Sequence, residues 1–272
     1  MLNTKYKIKL SEEKETLLIT LHSKRLNSTK KIFSDSKAQE ILDRIDYDFS
    51  SLKVPEGTVL TVCLRAKKMD DYVKEFISGH PECMVIHLAC GLDTRYHRIK
   101  NSTIEWYDLD LPEVIEIRKR FFVETDNYHM ISSSVTDGQW LNNIQDKSKP
   151  VLILAEGLFM YLCEKEIKSL FIRLRSQFSK FMLIFDAYSS ITVKNINKHP
   201  SIKKTGASIR WGIDNPKEIE EWVNGLKLIE EWFFNQSEEI KNLSYLYKII
   251  FWISGLFPFV RRAHRILAYQ FE

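Results

Sequence analysis

Five short apolar runs recur along the middle of the chain, at 84–89 (MVIHLA), 104–109 (IEWYDL), 128–132 (YHMIS), 151–155 (VLILA) and 181–185 (FMLIF). Helix-forming stretches separate them: 112–122, with Pro112 placed for a first helical turn, a weaker segment near 140–144, and 164–178. Strands that alternate with helices make a parallel sheet covered on both faces, and 44% hydrophobic with 28% charged residues excludes disordered and fibrous classes. Two late runs, 226–234 and 266–271, read as further strands, and Asn215-Pro216-Lys217-Glu218 as a helix start running to Val223. The predicted class is therefore α/β, Rossmann-like, with a mostly parallel sheet and helices on both sides.

The first 80 residues follow another pattern. Ser11 is placed to cap a helix through Leu17, Leu18 and Leu21, and Ser36 to cap one carrying Ala38, Ile41, Leu42 and Ile45. Met69, Tyr72, Val73, Phe76 and Ile77 recur at helical spacing, and Gly79-His80-Pro81 stops that helix. The organisation expected is a helical cap over 1–80 and a sheet-based core over 81–272.

Ligands in such sheets bind at the carboxyl ends of the strands, where strand order reverses. The first strand ends in His87-Leu88-Ala89-Cys90-Gly91-Leu92-Asp93-Thr94-Arg95, and the small Ala89 and Gly91 let backbone approach a ligand. A G-x-G-x-x-G pattern fails at its first and last positions. Asp110, at the tip of the second strand and 19 residues after Gly91, is placed to accept the hydroxyls of an adenosine ribose, or else to cap the Pro112 helix. This spacing predicts a nucleoside-containing cofactor without separating a nicotinamide dinucleotide from S-adenosylmethionine. No Y-x-x-x-K stands after the fourth strand to serve a dehydrogenase.

Three segments carry a resemblance: L-A-C-G-L-D-T-R followed by Arg98, W-Y-D-L-D-L-P-E-V-I with Arg118-Lys119-Arg120, and L-A-E-G-L-F-M-Y-L. With Arg65-Ala66-Lys67-Lys68-Met69-Asp70, Arg210-Trp211-Gly212 and the Gln270-Phe271 ending, the chain resembles the leucine carboxyl methyltransferase family, in a bacterial branch similar to tetracenomycin-type polyketide O-methyltransferases. The resemblance implies a class I methyltransferase fold with S-adenosyl-L-methionine as donor. It implies that Ala89 and Gly91 line the cofactor, that Arg65 meets its carboxylate, and that Asp110 takes its ribose. Glu156 matches the acid ending the fourth strand, and Ser134, with the Val135 amide, stands where the family often has an Asp for the adenine.

Methyl transfer is an in-line displacement that positioning alone can drive, so no sharp catalytic motif is expected. Tyr161 and Glu156 are the expected catalytic groups, beside the acceptor. Tyr188 and His129 are further base or orienting candidates, and Asp186 is either a helix cap or a ligand contact. His87 is expected buried and hydrogen-bonded. Lys67 and Lys68 read as a solvated face, and Arg95 as a clamp on the cap or a substrate contact. No metal is expected, and no nucleic-acid partner, since Lys+Arg of 40 against Asp+Glu of 36 is no basic footprint. The acceptor implied is a small polyketide-like phenol or carboxylate. The alternatives are a protein C-terminal carboxylate, or a cofactor-binding scaffold or membrane-associated protein without turnover.

Four dispersed cysteines and an amino terminus with no apolar run predict a reduced, cytoplasmic protein. Residues 243–260 (LSYLYKIIFWISGLFPFV) hold one charge, Lys248. Gly255 and Pro258 interrupt a run already short for a span. The region 235–262 is accordingly read as an apolar lid over the acceptor pocket, with a buried core helix or membrane-surface attachment as the other possibilities.

Overall fold

A computed structural model describes residues 5–6, 15–27, 32, 34–196 and 208–271. Seven strands form one sheet: β1 (Met84–Leu88), β2 (Glu105–Asp110), β3 (Tyr128–Ser132), β4 (Val151–Ala155), β5 (Phe181–Tyr188), β6 (Leu226–Phe233) and β7 (His264–Phe271). Their order is β3-β2-β1-β4-β5-β7-β6. The first five are parallel, whereas β7 runs antiparallel between β5 and β6. Chain order reverses between β1 and β4, and the crevice above that point is where such sheets bind ligands.

Every residue of β1 and β4 is buried, which is why their sequences read as unbroken apolar runs rather than alternating ones. The two-residue period still sorts them. Val85, Leu152 and Leu154 face one core with Leu18, Leu64 and Met69, while Ile86, Ile153 and Ala155 face the other with Phe159 and Phe171. The first core lies under α1 (Glu15–Asn27), α2 (Ser36–Arg44) and α3 (Glu56–Gly79). The second lies under α6 (Glu164–Gln177). Between these helices come α4 (Arg95–Ile99) and α5 (Pro112–Arg118), and α7 (Ser190–Ile196) follows β5.

Several expectations shift in detail. The cap of α2 is Asp35, whose carboxylate accepts from the Ala38 amide at 2.9 Å, and Ser36 is the first helical residue. Ser11 lies outside the described residues. The third helix begins at Glu56, thirteen residues before its clear apolar stripe, because Val59, Leu60 and Cys63 already face the core. Segments near 140–144 and 215–223 are short 3₁₀ helices, Gly138–Asn143 and Pro216–Glu221. Asp110 is the last residue of β2 rather than the first beyond it.

The region after β6 forms α8 (Tyr245–Leu256) and α9 (Pro258–Arg261), neither with a buried residue. No residue of 235–262 lines the cavity described below; Trp252 is 67% exposed. Among the described residues, no helix is long and apolar enough to cross a membrane.

Candidate active site

The turn after β1 bends through two left-handed residues, Ala89 (φ 51°) and Gly91 (φ 53°). Such a conformation costs a non-glycine residue about 1–2 kcal/mol, so its neighbours must hold it. The Cys90 amide donates to the Leu109 carbonyl at 3.1 Å, and the Arg118 guanidinium donates to the Gly91 carbonyl at 2.9 Å. Arg118 is itself fixed by buried Asp108 and by the Tyr128 hydroxyl. The Gly91 amide donates to Asp110 at 2.7 Å, and the Leu111 amide donates to the other Asp110 oxygen at 2.7 Å. Asp110 thus clasps the first loop to the second strand tip. Burial pushes its carboxyl above the ordinary value, and the two amides only partly offset that push.

Behind this clasp lies a buried lattice of charges. Arg65, from α3, donates to Glu156 at 3.0 Å and to Asp186 at 2.7 Å. Arg95, fully buried at the start of α4, donates to Glu156 at 2.6 Å and to Asp70 of α3 at 2.6 Å. Arg98 grips both oxygens of Asp70, at 2.7 and 2.9 Å, and reaches Asp35 at 2.8 Å. Lys24 of α1 pairs with Asp93 at 2.6 Å. Burial alone would raise the Glu156 carboxyl, but Arg65 and Arg95 more than reverse it, so it sits below the ordinary range. Asp186 behaves alike, with Arg65 and His264 outweighing burial, and it also accepts the Gly157 amide at 2.6 Å. His264 approaches Asp186 at 2.8 Å, yet burial keeps the imidazole below its usual value. Charges buried this way contribute fixed geometry more than net stability.

The clasp and the lattice wall a cavity of about 630 Å³ at the carboxyl ends of β1 and β4. Arg65, Ala89, Gly91, Asp110, Glu156 and Tyr161 all line it. Ser134 and Val135 do not: the Ser134 hydroxyl bonds Thr136 at 2.8 Å, and the Val135 carbonyl accepts from Trp140. Tyr188 faces the cavity, and burial raises both its phenol and that of Tyr161. His87 lines it too, 2% exposed and 3.4 Å from Arg95.

The other candidates lie elsewhere. His129 stacks on Tyr107, Lys67 pairs with Asp71, and Lys68 pairs with Glu230. Asp186 is an ion-pair partner of Arg65 rather than a helix cap, and Arg95 clamps α3. Sequence reasoning missed Leu17, Thr20 and Lys24 of α1, and gave Arg210 no role in the cavity. Their only local signal is weak, a lysine in the polar last turn of a helix and an arginine beside a tryptophan. Among the described residues no group of His, Cys, Asp and Glu side chains is arranged to hold a metal ion.

Known proteins are similar to this chain in sequence and in fold. Over 270 residues the chain is 37% identical to the tetracenomycin polyketide synthesis O-methyltransferase TcmP of Streptomyces glaucescens, covering 97% of this chain and 98% of that protein. It is 32% identical to the S-adenosyl-L-methionine-dependent methyltransferase dpfgK of Gibberella zeae, over 84% of this chain and 85% of the other. In fold it is similar to the magnesium protoporphyrin IX methyltransferase of Synechocystis PCC 6803, with a TM-score of 0.50 at 9% identity, covering 94% of this chain and 100% of that one. The family model for leucine carboxyl methyltransferases matches residues 15–175, a span that holds the clasp, Arg65 and Glu156. The chain therefore belongs to the leucine carboxyl methyltransferase family.

Proposed function

We propose that this protein, an S-adenosyl-L-methionine-dependent methyltransferase, methylates an oxygen of a small aromatic acceptor, a polyketide-like phenol or carboxylate. The observation that carries the reading is the Asp110–Gly91 clasp at the switch point, opening on a cavity with Tyr161, Tyr188 and Met160 in its wall. The near full-length likeness to an O-methyltransferase of polyketide synthesis supports the acceptor class.

The residues present fit the cofactor. A carboxylate at the tip of β2 suits a ribose. Gly91 leaves open a place where a Cβ would lie 2.8 Å from Leu17. Arg65, 8% exposed and held in the wall by two acids, suits a carboxylate. A cavity of about 630 Å³ lies within the usual range for a small-molecule site. When bound, S-adenosyl-L-methionine supplies an already activated methyl group.

The chain's own task is to hold the acceptor oxygen in line and keep water out, and such positioning is worth effective molarities of roughly 10⁵–10⁸ M. Glu156 has both oxygens committed to arginines, so its role is to position Arg65 and Arg95 rather than to take a proton. Tyr161 and Tyr188, raised by burial, stay neutral and act as hydrogen-bond donors that orient the acceptor. Arg210, exposed on the cavity wall, favours an acceptor that arrives as an anion, for which no base is needed.

The test has two stages. Calorimetric titration with S-adenosyl-L-methionine should show binding. Transfer from tritiated cofactor to a panel of aromatic hydroxy acids should then label product. Label released by mild alkali marks a methyl ester, and label retained marks an aryl ether. Absence of both heat and labelling would refute the proposal.

A further inference from the structure

The connection from β6 to β7 presents an apolar face to solvent. Only one stripe of α8 meets the body: Tyr247 and Phe251 pack against the core, and Gly255 sits where a Cβ would fall 2.6 Å from Asn235. The opposite stripe, Leu246, Ile249, Ile250 and Ile253, is exposed at helical spacing. Trp252 (67%) and Phe259 (66%) extend it. A surface helix ordinarily turns its polar face outward, but α8 turns an apolar stripe outward as well as inward. Soluble monomers rarely leave a contiguous apolar surface of this kind uncovered.

Charge indicates what covers it. From Ile240 to Phe271 the sequence holds no acid, whereas Lys241, Lys248, Arg261, Arg262 and Arg265 all fall there. Arg265 is buried against Glu231, Arg261 lies over the Phe233 ring, and Lys241 pairs with Glu238 at 3.8 Å. Lys248 and Arg262 flank the apolar stripe, Arg262 being exposed. A second copy of this chain, packed face to face about a two-fold axis, would bring together two surfaces that each carry cations and, over 240–271, no acid. Aliphatic and aromatic side chains bordered by cations match an anionic lipid surface. The twelve residues of α8 reach about 18 Å, too short to cross a hydrocarbon core of about 30 Å but long enough to lie in its interface.

We infer that the outward face of α8 and α9 seats the protein on an anionic membrane surface. The register fixes which end of the sheet then meets the lipid. His264, where β7 begins, pairs with Tyr188 of the cavity wall, and Arg265 pairs with Phe233, where β6 ends. The apolar face therefore springs from the same end of the sheet as the cavity. The inference does not depend on the identity of the acceptor.

The experiment is flotation of the full chain with vesicles of phosphatidylglycerol and phosphatidylcholine in equal amounts, compared with phosphatidylcholine alone. We expect flotation with the anionic vesicles only, falling as salt rises. Lys248→Ala and Arg262→Ala should each weaken partition about fivefold, and Trp252→Ser with Phe259→Ser by roughly tenfold or more, with unchanged circular dichroism. A second readout needs no variant. Trp252 is the one exposed tryptophan among the described residues, so brominated lipid should quench the emission of the native protein. Absence of anionic flotation, equal flotation with neutral vesicles, or a solution dimer that the double substitution splits would each overturn the inference.

Discussion

Replacing Asp110 by Asn separates the two tasks of the clasp. The carboxylate accepts the Gly91 and Leu111 amides, one on each oxygen, both at 2.7 Å. Asparagine has one oxygen, so one amide hydrogen is left facing an NH₂ group. A buried donor without an acceptor costs about 1–3 kcal/mol. Burial already pushes the Asp110 carboxyl up, so removing the charge recovers part of that cost. We expect the lower part of the range, about 1–2 kcal/mol, which lowers Tm by about 2–5 °C for a chain of this size. Cofactor affinity should fall further. Hydrogen bonds to a charged group are worth about 1.5–3 kcal/mol, or roughly 10–150-fold in Kd. Differential scanning fluorimetry reads the first effect, and calorimetric titration with S-adenosyl-L-methionine reads the second. A lower Tm with unchanged Kd would show that Asp110 only fastens the loop, and the ribose assignment would be wrong.

Other outcomes follow from the same geometry. Arg95→Met removes the cation shared by Glu156 and Asp70 in a fully buried setting, and should cost about 3–5 kcal/mol; chemical denaturation giving under 1 kcal/mol would show that the lattice is not structurally important. Gly91→Val places a β-branched side chain at φ 53° and against Leu17. It should abolish cofactor binding, and adding Leu17→Ala should restore part of the Tm but none of the affinity. Acid should weaken the fold in two stages. Burial holds His22, His97 and His264 below their ordinary 6.5, so the stability of their neutral forms is complete above about pH 6.5 and declines as pH falls below it. Glu156, Asp70 and Asp186 are held low by their arginine partners despite burial, and their contribution is lost below about pH 4.5. A Tm that stays flat from neutral pH to about pH 5 would contradict the first stage.

What the sequence disclosed, and what it hid, tracks separation along the chain. Strands β1 and β4 were legible because both faces of each are buried, so neither carries polar residues at every second place. Gly91 and Asp110 were legible because one strand–helix–strand unit places them at the carboxyl ends of its two strands. The bonds of Arg65 span 91 residues to Glu156 and 121 to Asp186, and that of Lys24 spans 69 to Asp93. No local pattern reports such pairs; only the resemblance drew Arg65 into the site, and nothing drew Lys24. The cap of α2 lies at Asp35, one residue before the expected Ser36, because both are good cap formers and only the amide that is met distinguishes them. The stretch 243–260 shows a further limit. Periodicity reveals that α8 has an apolar stripe, but not that the stripe points outward.

The salt bridges across residue 80 also bear on how enzymes of this kind can be recombined. Lys24, Asp35, Arg65 and Asp70 come from the first three helices and their approaches, whereas Asp93, Arg95, Arg98 and Glu156 come from the sheet and its loops. A chimera joined at the start of β1 would mate acids of one parent with arginines of another across the wall of the cavity. One mismatched position would strand a charge where no water can reach it. The cavity lining that α1 contributes, Leu17, Thr20 and Lys24, is therefore not transferred intact by exchanging the amino-terminal helices alone. The loop after β1, α4 and the tip of β4, which supply Asp93, Arg95, Arg98 and Glu156, must travel with them.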